Sequence, residues 1–483
     1  MAETVADTET ATIRSRLLDR ITSISPLSLV LLGPLGFVGD LFAPLELFKL
    51  FHLFWLFGLW PLLSLFLGPV RNLFGPEESE QTDPRDWLVM DEDWRTTLAF
   101  LGSQIPTILN PLVFRQDVMQ FLGSLVAIAR HRGSLPSPET FSQSASYRLP
   151  VEGTWTVVNG SPIKEYSHSW FPATQRYAYD FVITDEDGRT RPEGEETDVE
   201  NYYCYEAPVL SPADGTVVAV GDGDPELSRG GGFSHPFKRS ITGNHVTIRH
   251  ADSEYSSLVH LVPGSIEVEP GDRVARGERI GRCGHTGNSS EPHLHFQVQD
   301  HPAFELAAGL PAAFDDVTVE TPGTDVVEAT GWDSPATAAD RQYVHVGQRI
   351  THTASEEHPA ERSDETAVHG DTYAANRLLG GITTGVAVGG ILTVVAGIVL
   401  SSLSAIALAV AGAGGLAVAS RLGRYAVGSL GIDAIGFPAG LFTAATLVSG
   451  LSVTTALSAA DSFVIGLGLF GLGFLSYAVA WRL

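Results

Sequence analysis

Two histidines separated by a single residue, His293 and His295, form the stretch of sequence best suited to chemistry. They lie in SSEPHLHFQVQD, where short polar residues and a proline lead into alternating polar and apolar positions. Successive side chains of a β-strand point to opposite faces, so His293, His295 and Gln297 are predicted to share one face. Two imidazoles on one face, beside a loop rich in glycine and serine, can form a metal site or an acid–base pair. Because His-x-His is a short motif, a pair of surface histidines on a half-exposed strand is the alternative.

The composition is strongly acidic. The 483 residues include 56 acidic and 30 basic side chains, for a net charge of -26, and only three of the basic residues are lysines. This pattern resembles that of proteins from salt-in halophiles, and it argues against nucleic acid as a partner, since nucleic-acid binding needs a basic surface. The length allows two or three domains. Cys204 and Cys283 are too few for a disulfide framework or a cysteine zinc cluster.

Two apolar regions predict membrane segments at both ends of the chain. After a polar tail and basic arm at 1–25, residues 26–70 are almost continuously apolar and long enough for a hairpin of two spans of about 20 residues each. Residues 378–483 are rich in small apolar residues, which allow close helix packing in lipid. They are predicted to form a four-helix bundle, with spans near 378–400, 402–420, 430–451 and 461–481.

The polar part of the chain divides into three segments. Residues 76–140 contain an amphipathic helical pattern followed by a linker, and the helix is expected to pack on the membrane surface or on the preceding helices. Residues 147–353 carry β-branched and aromatic runs between Gly, Pro, Asp and Asn turns, which predicts a mostly antiparallel β-domain. Residues 354–376 are charged and poor in apolar side chains, so they are predicted to be a disordered tether.

The β-domain resembles a known family. The segments GNHVTIRH, SSLVHL and GDRVARGERIGRCGHTGNSSEPHLHFQV follow one another as in the lysostaphin/LytM-type zinc endopeptidases, whose fold is the duplicated hybrid motif, a barrel-sandwich hybrid. Upstream, LPVEGTWTVVNG, EYSHSW and QRYAYDFVI resemble a branch of that family with a variant front end. The resemblance covers about 147–350 and neither apolar region.

The resemblance implies a role for each candidate residue. His295 and Asp180 would be zinc ligands, whereas His260 and His293 would be histidines that do not bind the metal but move the proton and polarise the attacking water. Zinc held by two neutral imidazoles and one carboxylate keeps a fourth position for water, which fits peptide hydrolysis. The implied substrate is a peptide or a peptide-crosslinked polymer.

One ligand position departs from the family pattern. The family has a histidine four residues before the metal-binding aspartate, but here that position is Arg176, which cannot bind a cation. His168, twelve residues before Asp180, is the best substitute as third ligand. His245, His250 and the absence of any third ligand stay open as alternatives. His250 and His285 are otherwise expected to be solvated loop residues.

Two other functions remain open. The turns in PGDRVARGERIG and ADGTVVAV also occur in biotinyl and lipoyl carriers, so the domain could be a non-catalytic binding or regulatory module. Alternatively the helices could be the working part, as in a transporter, although charge within the predicted spans is sparse. The arginines that flank the spans place both ends and the β-domain in the cytoplasm if two spans precede the domain and four follow it. A different span count moves the domain outside, so the side stays undecided, as does the oligomeric state.

Overall fold

The computed structural model describes residues 43–59, 110–167, 169–334 and 341–353, with single positions at 32, 36, 465 and 468. Most of the predicted hairpin and bundle, and the tether at 354–376, lie outside these residues. Among the residues that are described, no helix is both long and apolar enough to cross a bilayer. The described part of the hairpin is a 3₁₀ helix, Ala43–Leu59, which exposes the side chains of Leu47, Leu50 and Leu53.

The β-domain contains fourteen strands in the described part of the chain. Their bounds are β1 Thr154–Asn159, β2 Tyr179–Val182, β3 Pro208–Leu210, β4 Gly215–Gly221, β5 Asn244–Ala251, β6 Glu254–Leu261, β7 Arg273–Val274, β8 Arg279–Arg282, β9 Leu294–Gln299, β10 Gly309–Leu310, β11 Phe314–Asp315, β12 Val317–Glu320, β13 Arg341–Gln342 and β14 Arg349–His352. The main sheet has the order β12-β14-β1-β2-β9-β6-β5-β4-β7, with β10 added beside β9, and β11-β13 and β3-β8 form two small sheets. All these strand pairs are antiparallel, as predicted.

The core lies on the apolar face of the central strands. Phe181 of β2, Phe296 of β9 and Phe314 of β11 are fully buried, and their ring centroids lie 5.8–6.4 Å apart. Aromatic pairs at this separation contribute beyond their buried area. Strand β9 is buried on both faces. This excludes the alternative in which His293 and His295 are surface histidines on a half-exposed strand.

Two α-helices are described, α1 at Pro111–Arg130 and α2 at Val326–Thr330. Asn110 caps the start of helix α1, and its side-chain oxygen accepts hydrogen bonds from the amides of Leu112 and Val113. The start of the amphipathic pattern, before residue 110, lies outside the described residues.

The buried face of α1 packs on the β-domain. Met119 packs against Ala303 and Leu306, in and beside the short 3₁₀ helix Phe304–Leu306. Ala127 packs against Ala173, which begins another such helix, Ala173–Gln175. The β-domain is a partner that the sequence did not predict, and the expected packing on the membrane surface or on earlier helices stays a prediction. The amphipathic pattern predicted a buried stripe but could not name the partner.

Candidate active site

The candidate metal ligands Asp180 and His295 face each other across two neighbouring strands. In the antiparallel pair of β2 and β9, their Cα atoms are direct register partners. Oδ1 of Asp180 lies 2.9 Å from Nδ1 of His295, and both side chains are buried. The two residues are 115 positions apart in sequence, so the strand register brings them together.

The other oxygen of the Asp180 carboxylate is held from strand β1. Asn159 pairs with Asp180 at a β-bulge, and its side-chain amide donates to Oδ2 over 2.9 Å. One oxygen therefore anchors the carboxylate to the sheet, while Oδ1 points toward the histidines.

The second ring nitrogen of His295 contacts Gln297 on the same strand face. Nε2 of His295 lies 3.2 Å from Oε1 of Gln297. The amide nitrogen of Gln297 donates to Gln299 over 2.6 Å and to Thr174 over 3.3 Å, which directs its oxygen toward the ring. If Nε2–H donates to that oxygen, Nδ1 carries the lone pair that a metal requires.

The candidate catalytic histidines His260 and His293 lie beside this pair. The ring centroid of His260 lies 4.8 Å from that of His293 and 5.8 Å from that of His295. Nδ1 of His260 lies 2.8 Å from the carbonyl oxygen of Thr286, and Nδ1 of His293 lies 2.7 Å from that of Glu291. A carbonyl can only accept, so both Nδ1 atoms carry hydrogen and both Nε2 atoms keep their lone pairs in the neutral ring.

The backbone of His260 is unusual. Its φ angle is +67°, in the left-handed region that a histidine rarely occupies, close to a register shift between β5 and β6. Its amide donates to the carbonyl of Thr242. A strained backbone that positions a polar side chain in a cleft is typical of functional sites.

Burial keeps both of these histidines neutral. The pKa of His260 is held well below its ordinary value by loss of solvent, and next by the nearby rings of His293 and His295. The pKa of His293 is also lowered by burial, although the Asp180 carboxylate opposes the shift. A neutral imidazole can accept a proton, as a general base must.

The proposed third ligand, His168, lies outside the described residues. Of the alternatives, Nδ1 of His245 lies 2.8 Å from the carbonyl of Gly243, and His250 contacts the Asp214 carbonyl and the Ser256 hydroxyl with its two nitrogens. Neither ring lines the cleft that contains Asp180.

Arg176, at the departure from the family pattern, has a different role. Its guanidinium lies over the Trp170 ring, 4.5 Å from the ring centroid. A cation stacked on an aromatic face in this way supports the local structure and does not replace a ligand. His285, expected to be solvated, is instead fully buried, with Nδ1 2.8 Å from the Ser289 hydroxyl and Nε2 2.8 Å from the Phe233 carbonyl.

The described donors fit two positions of a zinc site. Ligand bonds of about 2.0–2.1 Å in a tetrahedron hold two donors roughly 3.3 Å apart, and Oδ1 of Asp180 and Nδ1 of His295 are 2.9 Å apart. No group of three or more His, Cys, Asp or Glu side chains within the described ranges forms a metal site. The predicted third ligand falls at the one undescribed position between 110 and 334.

A cleft of about 430 Å3 opens above the four side chains Asp180, His260, His293 and His295. Its other wall includes helix α1, whose residues Asp117, Gln120 and Phe121 line the cleft. The chemistry that the cleft offers is proton transfer by neutral imidazoles next to a carboxylate–imidazole pair that can share a metal.

Comparisons with known proteins agree with this geometry. Residues 199–304 match the family model of Peptidase family M23, which spans His260, His293 and His295 but not Asp180. Residues 199–304 are therefore assigned to an M23 peptidase domain.

Several curated proteins match the same region. The peptidoglycan DD-endopeptidase ShyA of Vibrio cholerae is 34% identical over 111 residues, which cover 22% of this chain and 24% of that protein. An uncharacterized metalloprotease of Buchnera aphidicola is 41% identical over 92 residues, covering 19% and 24%. The chain thus spans about a quarter of the length of these relatives. A solved zinc-containing peptidase from Vibrio cholerae is 26% identical, with 35% of this chain and 41% of that chain covered and a TM-score of 0.22.

Three features of the site were missed from the sequence. The face shared by His293, His295 and Gln297 was predicted, but the hydrogen bond from the His295 ring to the side-chain oxygen of Gln297 was not. Asn159 carried no signal, because its contact with Asp180 depends on a bulge in the pairing of β1 and β2. The wall formed by α1 also had no sequence signal, since it depends on tertiary packing.

Proposed function

We propose that this chain is a zinc-dependent endopeptidase that hydrolyses peptide bonds in a peptide or a peptide-crosslinked polymer. The observation that carries the proposal is the pairing of Asp180 with His295 at 2.9 Å, with the neutral rings of His260 and His293 beside it. The match to Peptidase family M23 and the likeness to a peptidoglycan DD-endopeptidase support the reaction and the substrate class.

The proposed ligands are His168, Asp180 and His295. Zinc bound to them would supply a Lewis acid that polarises the scissile carbonyl and acidifies a water molecule. Asn159 and Gln297 orient the two described ligands from the far side.

The chain's own residues then handle the proton. His260 and His293 each hold a proton on Nδ1 against a carbonyl oxygen, which turns Nε2 outward as a base. A base of this kind takes the proton of the attacking water and returns it to the leaving amine. The carboxylate of Asp180 stabilises the positive charge that His293 acquires, since Oδ1 lies 3.6 Å from its Nε2.

A non-catalytic binding module is the second candidate, and Arg176 at the usual ligand position is the observation that favours it. The test incubates the full chain, loaded with zinc, with purified peptidoglycan and with a mixed peptide library, and identifies products by mass spectrometry. New amino termini that the parent produces and the His295→Ala variant does not would support the peptidase. Intact substrates with the parent, under conditions where zinc is bound, would leave the binding module as the function.

Membrane anchoring through the hairpin at 26–70 and the bundle at 378–483 is part of the proposal. The length and apolar character of both regions support it. The protein is then a multi-pass protein of the cell membrane, with the side of the β-domain undecided. Extraction by detergent but not by alkaline carbonate is the expected result, and release by carbonate would refute the anchoring.

A further inference from the structure

Helix α1 is fixed against the β-domain along its whole length. At its start, the Asn110 side chain donates to the carbonyl of Lys238 over 2.7 Å. Near its middle, Gln120 accepts a hydrogen bond from the side chain of Gln175 over 2.7 Å. At its end, Arg130 donates from Nε and Nη2 to the carboxylate of Asp300, whose side chain is buried. These hydrogen bonds at both ends and in the middle hold the helix on the β-domain, where it forms one wall of the cleft.

Three residues of this wall line the cleft: Asp117, Gln120 and Phe121. Gln120 and Phe121 follow Asp117 by three and four residues, so both lie on the same side of the helix as Asp117. The ring of Phe121 meets that of Phe171 edge-on, with centroids 5.8 Å apart, and Phe171 is about half exposed. The cleft thus carries a carboxylate next to an accessible aromatic pair.

The described side chains that line the cleft carry negative charge and include no lysine or arginine. The acids among them are Asp117 and Asp180. The oxygens of Asp180 are used by Asn159 and His295. No donor within the described segments hydrogen-bonds to the carboxylate of Asp117.

Lys238 attracts the Asp117 carboxylate but makes no hydrogen bond to it. The Lys238 ammonium donates instead to the Ser234 hydroxyl over 2.7 Å and to the Asn288 side chain over 2.8 Å. The walls of the cleft raise the pKa of Asp117 to about 6, and Lys238 opposes that shift from a distance. At pH 7 the carboxylate is still mostly ionised, and Asp117 is an exposed residue of the cleft wall, so the cation of a substrate can reach it.

We propose that Asp117 is a specificity residue that receives the cationic side chain of a peptide substrate, with Phe121 and Phe171 against its aliphatic stem. Lysine and arginine have this shape, a charged head on a methylene chain. The inference rests on the proposed peptidase function for its substrate, and it adds that cleavage is directed to peptides with an ammonium or guanidinium group near the scissile bond.

A binding experiment tests the subsite without turnover. The full chain, freed of metal with a chelator, is titrated calorimetrically with capped hexapeptides of glycine and alanine that contain one Lys, Arg, norleucine or Glu. The parent is expected to bind the Lys or Arg peptide about tenfold more tightly than the norleucine peptide, and Asp117→Asn is expected to abolish that difference. Asp117→Glu keeps the charge and should retain it. Asp252→Asn, an equal change of charge at an exposed hairpin turn, is the matched control and should behave as the parent.

Equal binding of the Lys, Arg and norleucine peptides by the parent would overturn the inference. So would an equal loss with all peptides in Asp117→Asn, because that result would indicate a structural role. A cleavage experiment on the same peptides with zinc restored tests the peptidase separately. Absence of cleavage by the parent would count against the proposed function, while the binding preference would still decide the role of Asp117. Where cleavage occurs, Asp117→Lys should shift the preference in kcat/KM from the Lys peptide to the Glu peptide.

Discussion

Nδ1 of His295 lies 2.9 Å from Oδ1 of Asp180, across the register of two antiparallel strands. Each partner is held from behind, His295 by Gln297 and Asp180 by Asn159. The four side chains form a continuous hydrogen-bonded path through a largely buried part of the sheet. A pair held this firmly has its donor atoms in place before any metal binds, which lowers the ordering cost of binding.

The first prediction separates catalysis from metal binding. His260→Ala should lower kcat by at least about 100-fold, as expected for loss of a general base, and it should leave the zinc content unchanged. Zinc per chain and peptide cleavage are measured on the same preparation. Loss of zinc in this variant would show that His260 is a ligand and that its assigned role is wrong.

The second prediction concerns the hydrogen bond from His295 to Gln297. Gln297→Leu removes the acceptor, so zinc affinity should fall about 10- to 100-fold, the usual effect of removing a partner of a metal-binding histidine. Gln297→Glu keeps an acceptor and should retain the affinity. Competition with a chromophoric chelator measures both. An unchanged affinity in Gln297→Leu would mean that the contact does not orient the ring.

The third prediction tests the packing of α1. A Cβ atom added at Gly123 would lie 1.7 Å from the backbone carbonyl oxygen of Glu305, so Gly123→Val should force the helix away from the β-domain. The expected cost is about 1–3 kcal/mol of stability, together with faster hydrogen exchange over 110–130. Leu125→Ala, at an exposed position of the same helix, is the control. Equal exchange in the two variants would contradict the packing.

The fourth prediction is a pH dependence of stability. Burial lowers the pKa of His285 from 6.5 to about 4, with His293 adding to the shift. Between pH 6.5 and 4, His285 therefore binds a proton in the unfolded chain but not in the folded chain. The free energy of unfolding should fall as the pH is lowered through that range. A shift of this size corresponds to about 3 kcal/mol at most.

Urea unfolding of the parent and of His285→Gln, at pH 7.5 and 5, measures this effect. The variant keeps a donor and an acceptor but cannot titrate, so its loss of stability between the two pH values should be smaller. The same loss in both proteins would exclude His285 as a source of the dependence.

The sequence predicted the features of the site that depend on local pattern but not those that depend on pairing between distant segments. Period-two alternation placed His293, His295 and Gln297 on one face, and the antiparallel β class followed from turns and β-branched runs. Asp180 and His260 were assigned through a resemblance in order and spacing. The strand register that joins Asp180 to His295, and the bulge that aligns Asn159, depend on pairing between distant segments and had no local signal.

Helix α1 illustrates the same limit. Its amphipathic pattern predicted a buried stripe, but the pattern is equally compatible with a membrane surface, a helix or a sheet edge. The contacts of Asn110, Gln120 and Arg130, together with the packing of Met119 and Ala127, identify the β-domain as a partner. Asp117 therefore became a candidate only in the folded structure.

The most direct test of the proposed zinc site is the metal content of the full chain after reconstitution with zinc and removal of the excess. One zinc per chain is predicted for the parent, with nearly complete loss in Asp180→Ala and in His168→Ala. Metal well below one per chain in the parent would contradict the site. Full zinc in His168→Ala, with loss in Asp180→Ala, would show that another residue completes it.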